Sequence, residues 1–302
     1  MKLVSKILFL ILLLASCQEE ATLSLSDKYQ TITESQSIAS FTSDIRESSG
    51  LENNNGQIWT HNDGGDAPNL YRINLENGEI LSTLHVAEAN NTDWEDMTQD
   101  SQYFYVADIG NNRGNRQDLN ILKILKPDTE TDTSYSASQI NISYADQNSF
   151  VFAKEMHDFN AEALINVGDS LFIFSKNHIS QNTRCYSVPK TPNTYEISSS
   201  RRFDTEGLIT AADFDSENRV LVLLGYNDYT LGHAPFIWCF WDFSDNDFFN
   251  GKSKRFNLNF SEQAEGITIT EAGIVLISTE KESGNGGNIW QVDLRERISG
   301  LW

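Results

Sequence analysis

Beyond residue 35 the chain is built from short runs of alternating apolar and polar residues bounded by Asn, Asp or Gly. Almost no segment shows the 3.6-residue apolar period of a helix. Examples are "QIWTHND", "YFYVADIG", "SLFIFSKN", "RVLVLLGYN" and "GIVLISTEK". Such runs are the length of strands, and "LENGEI" adds the Asn-Gly pair that a two-residue hairpin turn requires. The expected fold class is therefore all-β.

The runs repeat in order. A first strand carries a small residue or carboxylate followed by an apolar pair: "ESSGLEN" (47–53), "DWEDMTQ" (93–99), "NAEALIN" (160–166), "TEGLITAADFD" (205–215) and "QAEGITI" (263–269). A more apolar second strand follows and ends in a polar loop, at Asn62-Asp63, Asp108, Lys176-Asn177, Asn227-Asp228 and Glu280. Third strands are "NLYRINL", "NILKILK", "TRCYSVP", "PFIWCFW" and "NIWQVDL"; fourth strands are "EILSTLHV", "QINISYA", "TYEISSS" and "KRFNLNF". The fifth unit has no fourth strand, whereas "QSIASFTSD" is a strand without a unit, so the N-terminal strand is expected to close a ring. Four-stranded units of about 40 to 65 residues fit the blades of a β-propeller. The expectation is five blades within a single domain, residues 36–302. Six is the alternative, because residues 97–164 are long enough to hold another, and an open sandwich is a third.

In a propeller the first strand of each blade lines a central channel, so equivalent side chains converge on one axis. The acids recurring on first strands are Glu47, Glu95, Glu162, Glu206 and Glu265, with Asp213 in place of Glu206 if "TAADFD" is the strand. Asp96 neighbours Glu95, and Asp63 and Asp108 end second strands; Asp66, Asn111, Asn112, Asn177 and Asp228 lie in loops that reach the same face. Converging carboxylates raise one another's pKa or require a cation between them. Hard oxygen donors suit Ca²⁺ or Mg²⁺, and Glu95, Asp108, Glu162 and Glu265 are the expected ligand set. The competing account is that these acids simply cap turns and bond backbone amides of the next blade. His61 is a candidate proton carrier at the mouth. Trp59, Trp94, Trp290 and Tyr103-Phe104-Tyr105 are expected to pack between blades. Arg113 and Arg116 either bind an anionic group or neutralise nearby acids.

The start of the chain, "MKLVSKILFLILLLASCQEE", has two lysines, an apolar stretch from Ile7 to Leu14, and Leu14-Ala15-Ser16-Cys17. The apolar run is too short to span a bilayer and has the layout of an export signal. Leu14 to Cys17 resembles the lipobox of bacterial lipoproteins, which implies cleavage after residue 16 and a lipid on Cys17; the alternative is an ordinary signal peptide with an incidental cysteine. The acidic "QEE" resembles surface-export signals of some Gram-negative lipoproteins. Residues 17–35 then read as lipidated cysteine and flexible linker, and the protein as an outer-membrane lipoprotein of the cell envelope. Net charge is −21; loss of Lys2 and Lys6 with the signal leaves 20 basic against 43 acidic side chains, about −23. That charge excludes nucleic-acid phosphates and anionic lipid surfaces as partners, leaving the lipid anchor as the membrane contact of a monomer. Of the three cysteines, Cys185 and Cys239 sit in apolar strands and are expected as buried free thiols.

"SSGL…IWTHNDGG", "DWEDM…YVADIGNNRGNR", "NAEAL…FSK" and "AEGITI" resemble a group of exported bacterial propellers. The group is similar to the SdiA-regulated and phytase-like esterase propellers and, more distantly, to the gluconolactonase-type ones. The likeness covers residues 44–295. It implies a divalent ion at the channel mouth held by Glu, Asn and Asp of inner strands. This chain departs from that pattern, with "SSG" in phase where an acid stands and Asn111 in place of Asp. Two functions follow. One is a lipid-anchored propeller binding a small molecule, glycan or protein, or a divalent cation, at an acidic channel mouth. The other is a metal-dependent hydrolase of lactones or phosphoesters, with a carboxylate or His61 as base. A purely structural envelope role would leave the acids paired to backbone.

Overall fold

A computed structural model describes residues 28–129, 131–229, 232–280 and 287–302. The export-signal and lipobox residues, Cys17 included, lie outside these. Two strands, β1 (Gln30–Ile32) and β2 (Gln36–Ser40), precede five meanders. The first is β3 (Ser48–Asn54), β4 (Gln57–Asn62), β5 (Asn69–Ile73) and β6 (Ile80–Ala87). The second is β7 (Trp94–Gln99), β8 (Tyr103–Asp108), β9 (Asn120–Leu125) and β10 (Thr133–Tyr144). The third is β11 (Ala161–Val167), β12 (Ser170–Ser175), β13 (Thr183–Pro189), β14 (Thr194–Ile197) and β15 (Ser199–Phe203). The fourth is β16 (Leu208–Asp215), β17 (Val220–Tyr229), β18 (Gly232–Trp241) and β19 (Lys252–Leu258), and the fifth β20 (Gln263–Glu271), β21 (Ile274–Glu280) and β22 (Asn288–Asp293). The chain is all-β, with almost no helix among the described residues.

Second strands are apolar throughout because both of their faces are covered. Along β17, Leu221 and Leu223 point toward the third meander, while Val220, Val222 and Leu224 point toward the fifth. On β8, Phe104 and Val106 face the first meander and Tyr105 and Ala107 the third. Five apolar clusters arise this way, one between each successive pair of meanders and one between the fifth and the first, where Leu276 and Ile289 meet Leu51 and Ile58. Aromatic pairs bridge neighbours: Trp59–Phe104 at 5.4 Å, Tyr144–Tyr186 at 4.9 Å and Phe203–Trp238 at 5.0 Å. Each such buried ring or branched chain contributes roughly 1.5–3 kcal/mol.

First strands pack in cyclic order, β3 on β7, β7 on β11, β11 on β16, β16 on β20 and β20 on β3. The N-terminal β2 pairs antiparallel with β22, Gln36 opposite Gln291, and so becomes the fourth strand of the fifth sheet. Two expectations are corrected. Residues 30–32, read as linker, form β1 and extend the fourth sheet by parallel pairing with β19. The segment "TYEISSS" is not one strand: β14 pairs parallel with β10 of the second meander, and β15 completes the third sheet. The first two meanders are also joined, through parallel pairing of β6 and β10. Cys185 and Cys239 are buried and unpaired, their thiols pushed up to about 12 by burial.

Candidate functional site

Every first strand carries a β-bulge close to its start. Pairing slips between Ser48 and Leu51, Trp94 and Met97, Ala161 and Ala163, Ile209 and Ala211, and Ala264 and Gly266. A bulge adds an unpaired residue and re-aims its side chain. The bulged residues include Ser49, Glu95, Glu162, Thr210 and Glu265, and all but Thr210 line one cavity of 810 Å³. Thr210 instead donates to the carbonyl of Ala264 at 2.7 Å. Ends of second strands and the loops after them supply the remaining wall, among them Asp63, Lys176, His178, Tyr226 and Asp228.

Three carboxylates meet here: Asp63, Asp93 and Glu95, with one oxygen of each lying within 4.8 Å of the others. Glu95 is 4% exposed and its Oε1 has no hydrogen-bond partner. The backbone opposite is glycine for a reason: a β-carbon on Gly110 would overlap Glu95 Oε1 and Asp93 Oδ2. Gly64 likewise has Asp93 Oδ1 within 2.8 Å of where its β-carbon would stand. Burial, then Asp63, pushes the Asp93 carboxyl up to about 7, with Arg116 opposing. Burial, then Glu162, Asp63 and Asp93, raises Glu95 well above the carboxylate range, and burial raises Asp63. Two oxygens bound at about 2.4 Å to one ion are at most about 4.8 Å apart, a limit these three meet for Ca²⁺; Mg²⁺, at about 2.1 Å, needs them drawn to within about 4.2 Å.

Deeper in the cavity Lys176 Nζ stands 2.6 Å from Glu162 Oε2, and Asn160 Nδ2 donates to Glu162 Oε1 at 2.8 Å. Burial works against the ammonium, but Glu162, Tyr226, Glu265 and Glu95 together raise it well above its ordinary value. Burial raises Glu162 and Glu265 despite Lys176. Glu280, ending β21, is pushed up to about 9 by burial and by Glu265, Asp63 and Glu47.

The expected ligand set is thus only partly brought together. Glu95 belongs to the triad. Asp108 is held at 2.9 Å by Arg116 Nη1 and accepts from the Asp93 amide, so it positions the Asp93 loop; it lines a separate 230 Å³ recess. Glu162 and Glu265 face the cavity but bond Lys176 and Gln263. Glu47 is exposed just before β3, where its backbone bonds Asn62 and Asp63, and its side chain does not line the cavity. Glu206, at φ 51° ahead of β16, pairs with Lys28 and accepts from Tyr29 Oη at 3.0 Å, away from the mouth. Asp96 is fully buried and accepts from the amides of Met97, Leu164 and Ala212, tying β7 to β11 and β16. Asp213 plays the same part between β16 and β20, accepting from Ile269 at 2.6 Å.

His61 is not at the mouth. It is buried beneath Gly50, bonds the Asn62 carbonyl at 3.0 Å and meets Trp94 edge-on at 5.5 Å. Burial lowers its pKa to about 4, so it is neutral at physiological pH. The histidines of the cavity are His178 and His233, which with Lys176 were not among the expected site residues; Asp93, the acid that opens "DWEDMTQ", also lines it. Their signal was present: each follows, or sits opposite, the end of a second strand. Arg116 neutralises acids, bonding Asp108 and Asp118.

No protein-family model matches this chain, and no curated protein matches it. Among solved structures, one similar chain is a hypothetical protein from Leishmania major, 10% identical, covering 85% of this chain and 89% of that one at a TM-score of 0.44.

Proposed function

We propose that this protein is a five-bladed β-propeller that binds a divalent cation, Ca²⁺ or Mg²⁺, at the mouth of its channel through Asp63, Asp93 and Glu95, and through that ion a ligand in the cavity. The observation that carries this reading is the buried Glu95 Oε1, unpartnered beside two further carboxylates in a hollow that Gly110 leaves open. A carboxylate oxygen withdrawn from water without a donor is costly unless a proton or a cation meets it. Five meanders with cyclically packed first strands support the propeller reading over the sandwich and the six-blade alternatives. We further assign the protein to the cell envelope, tethered by a lipid on Cys17, on the strength of the lipobox-like Leu14-Ala15-Ser16-Cys17.

Calorimetric titration of chelator-stripped protein tests the cation reading. One site for Ca²⁺ or Mg²⁺ is expected, with affinity reduced at least tenfold in Glu95→Gln and in Asp93→Asn. At a hundredfold excess over Kd the ion should add about 2.7 kcal/mol to stability. Absence of both heat and a melting shift with either ion would remove the proposal.

A second reading, hydrolysis of lactones or phosphoesters, is favoured by His178, whose Nε2 is unpartnered in the same cavity. A bound divalent ion supplies Lewis acidity to such a reaction. His178 is then the available base, since His61 is packed away and both oxygens of Glu162 are held by Lys176 and Asn160. Burial and Lys176 lower the His178 pKa, which keeps it in the proton-accepting form at neutral pH.

A further inference from the structure

Of the exposed large apolar side chains among the described residues, all but Leu81 and Leu125 lie on two loops. Phe150, Val151, Phe152 and Met156 lie on the connection from β10 to β11, and Ile179 on that from β12 to β13; Val151, Phe152, Met156 and Ile179 are between 60% and 75% exposed. Scattered exposed apolar residues are ordinary, whereas a group of them on two loops joined by a hydrogen bond is a place to look for a ligand. Both loops are tied down. Ala153 and Glu155 amides donate to the carbonyls of Arg113 and Asn112, each at 2.9 Å, and the Ile179 amide donates to Asp158 Oδ1 at 3.1 Å. The backbone therefore holds these side chains out at the rim, where Phe152 lines the cavity that contains the acidic triad.

Inside the same cavity a donor is left over. The Arg116 guanidinium is fixed by Asp108, Asp118 and the Gly110 carbonyl, yet its buried Nη2 has no partner. A guanidinium locked through Nε and Nη1 with its Nη2 unused is a preformed single-nitrogen donor to an oxyanion. The cavity thus offers an acidic triad, a spare Nη2 donor and, at the mouth, an apolar shelf.

From this we infer that the ligand is a small amphiphile, its oxyanion head set between the triad's cation and Arg116, and its apolar tail lying on Phe152, Met156 and Ile179. The inference rests on the cation reading above and specifies what that ion helps to hold.

Calorimetry of the full protein in Mg²⁺ with inorganic phosphate, butyl phosphate and hexyl phosphate, all below micelle formation, tests it. Affinity should rise about twofold to fourfold per added methylene, as for an apolar chain leaving water on one or both sides. The double variant Phe152→Ser/Met156→Ser, exposed on the surface, should keep Mg²⁺ binding and inorganic phosphate affinity but flatten the chain-length series. Arg116→Lys should weaken all three phosphates by a similar factor. Equal affinity for hexyl and inorganic phosphate, or a series unchanged in the double variant, would overturn the inference while Mg²⁺ binding left the cation reading in place. Failure of the unmodified protein to bind either Mg²⁺ or Ca²⁺ would instead strike the cation reading and the inference with it. Sedimentation with phosphatidylcholine vesicles through Phe152, without binding of monomeric hexyl phosphate, would reassign the shelf to a membrane contact and also overturn it.

Discussion

Carboxylates that share a dry mouth without a cation compete for protons, and the consequence has a definite sign. Asp93, at about 7 in the folded protein against 3.8 ordinarily, makes the folded state bind more protons than the unfolded one between those values. Ion-free protein should therefore lose stability as pH rises from about 4 to 7, by roughly 2–3 kcal/mol from Asp93 alone after allowance for its partial exposure. A saturating divalent ion should reverse the trend, because it replaces the protons and favours the deprotonated site. Melting temperatures across that range, with chelator and with Ca²⁺, measure it; a flat ion-free profile would show that the Asp93 carboxyl is not raised in the folded protein. Gly110→Ala tests the geometry of the same residues. Its methyl group would occupy the space of Glu95 Oε1 and Asp93 Oδ2, so ion affinity should fall at least tenfold. An unaffected titration would mean that the ion, if bound, sits elsewhere.

At the level of the strand, the bulge decides which acids reach the cavity, and it also marks where sequence reading slipped. Of the acids aligned by the small-acid-apolar pattern, Glu95, Glu162 and Glu265 line the cavity, because in those three the acid is the bulged residue itself. In the first and fourth strands the bulge carries Ser49 and Thr210, and the nearest acids, Glu47 and Glu206, lie two and four residues earlier in connecting loops. A bulge leaves no composition signal, so a shift of that size is invisible in one sequence. The second strands, by contrast, were legible as apolar runs such as "RVLVLL" and "SLFIF", since both of their faces are buried. Deeper on the axis the acids serve the sheets. Asp96 is the acceptor for three strands at once, so Asp96→Ala should destabilise by about 3–5 kcal/mol in urea unfolding by orphaning the Leu164 and Ala212 amides. A cost under about 1 kcal/mol would mean that water takes over those bonds without loss.

For the molecule as a whole, the weak point of a cyclic array is where its ends meet. The sequence showed a fifth unit one strand short and an orphan N-terminal strand, so the pairing of β2 with the fifth sheet was readable; β1 was not, because three residues of "QTI" carry no period. β2 joins β22 through only a few backbone bonds, interrupted at Ser37–Ala39, but it carries Ala39 into the cluster shared by the fifth and first meanders. Phe41 and Ile45 follow it into the same cluster. Removing residues through Ser40 would take away β2 with Ile38 and Ala39 and leave β22 as a bare edge with unpaired amides and carbonyls, the template on which strands of another chain add. The shortened protein should melt lower and, being unable to close on itself, should pair with a second copy through β22. Light scattering combined with thermal melting reads both effects. If it remained monomeric with an unchanged melting temperature, the first and fifth meanders would be held by their apolar cluster alone, and strand exchange at the seam would play no part in closing the ring.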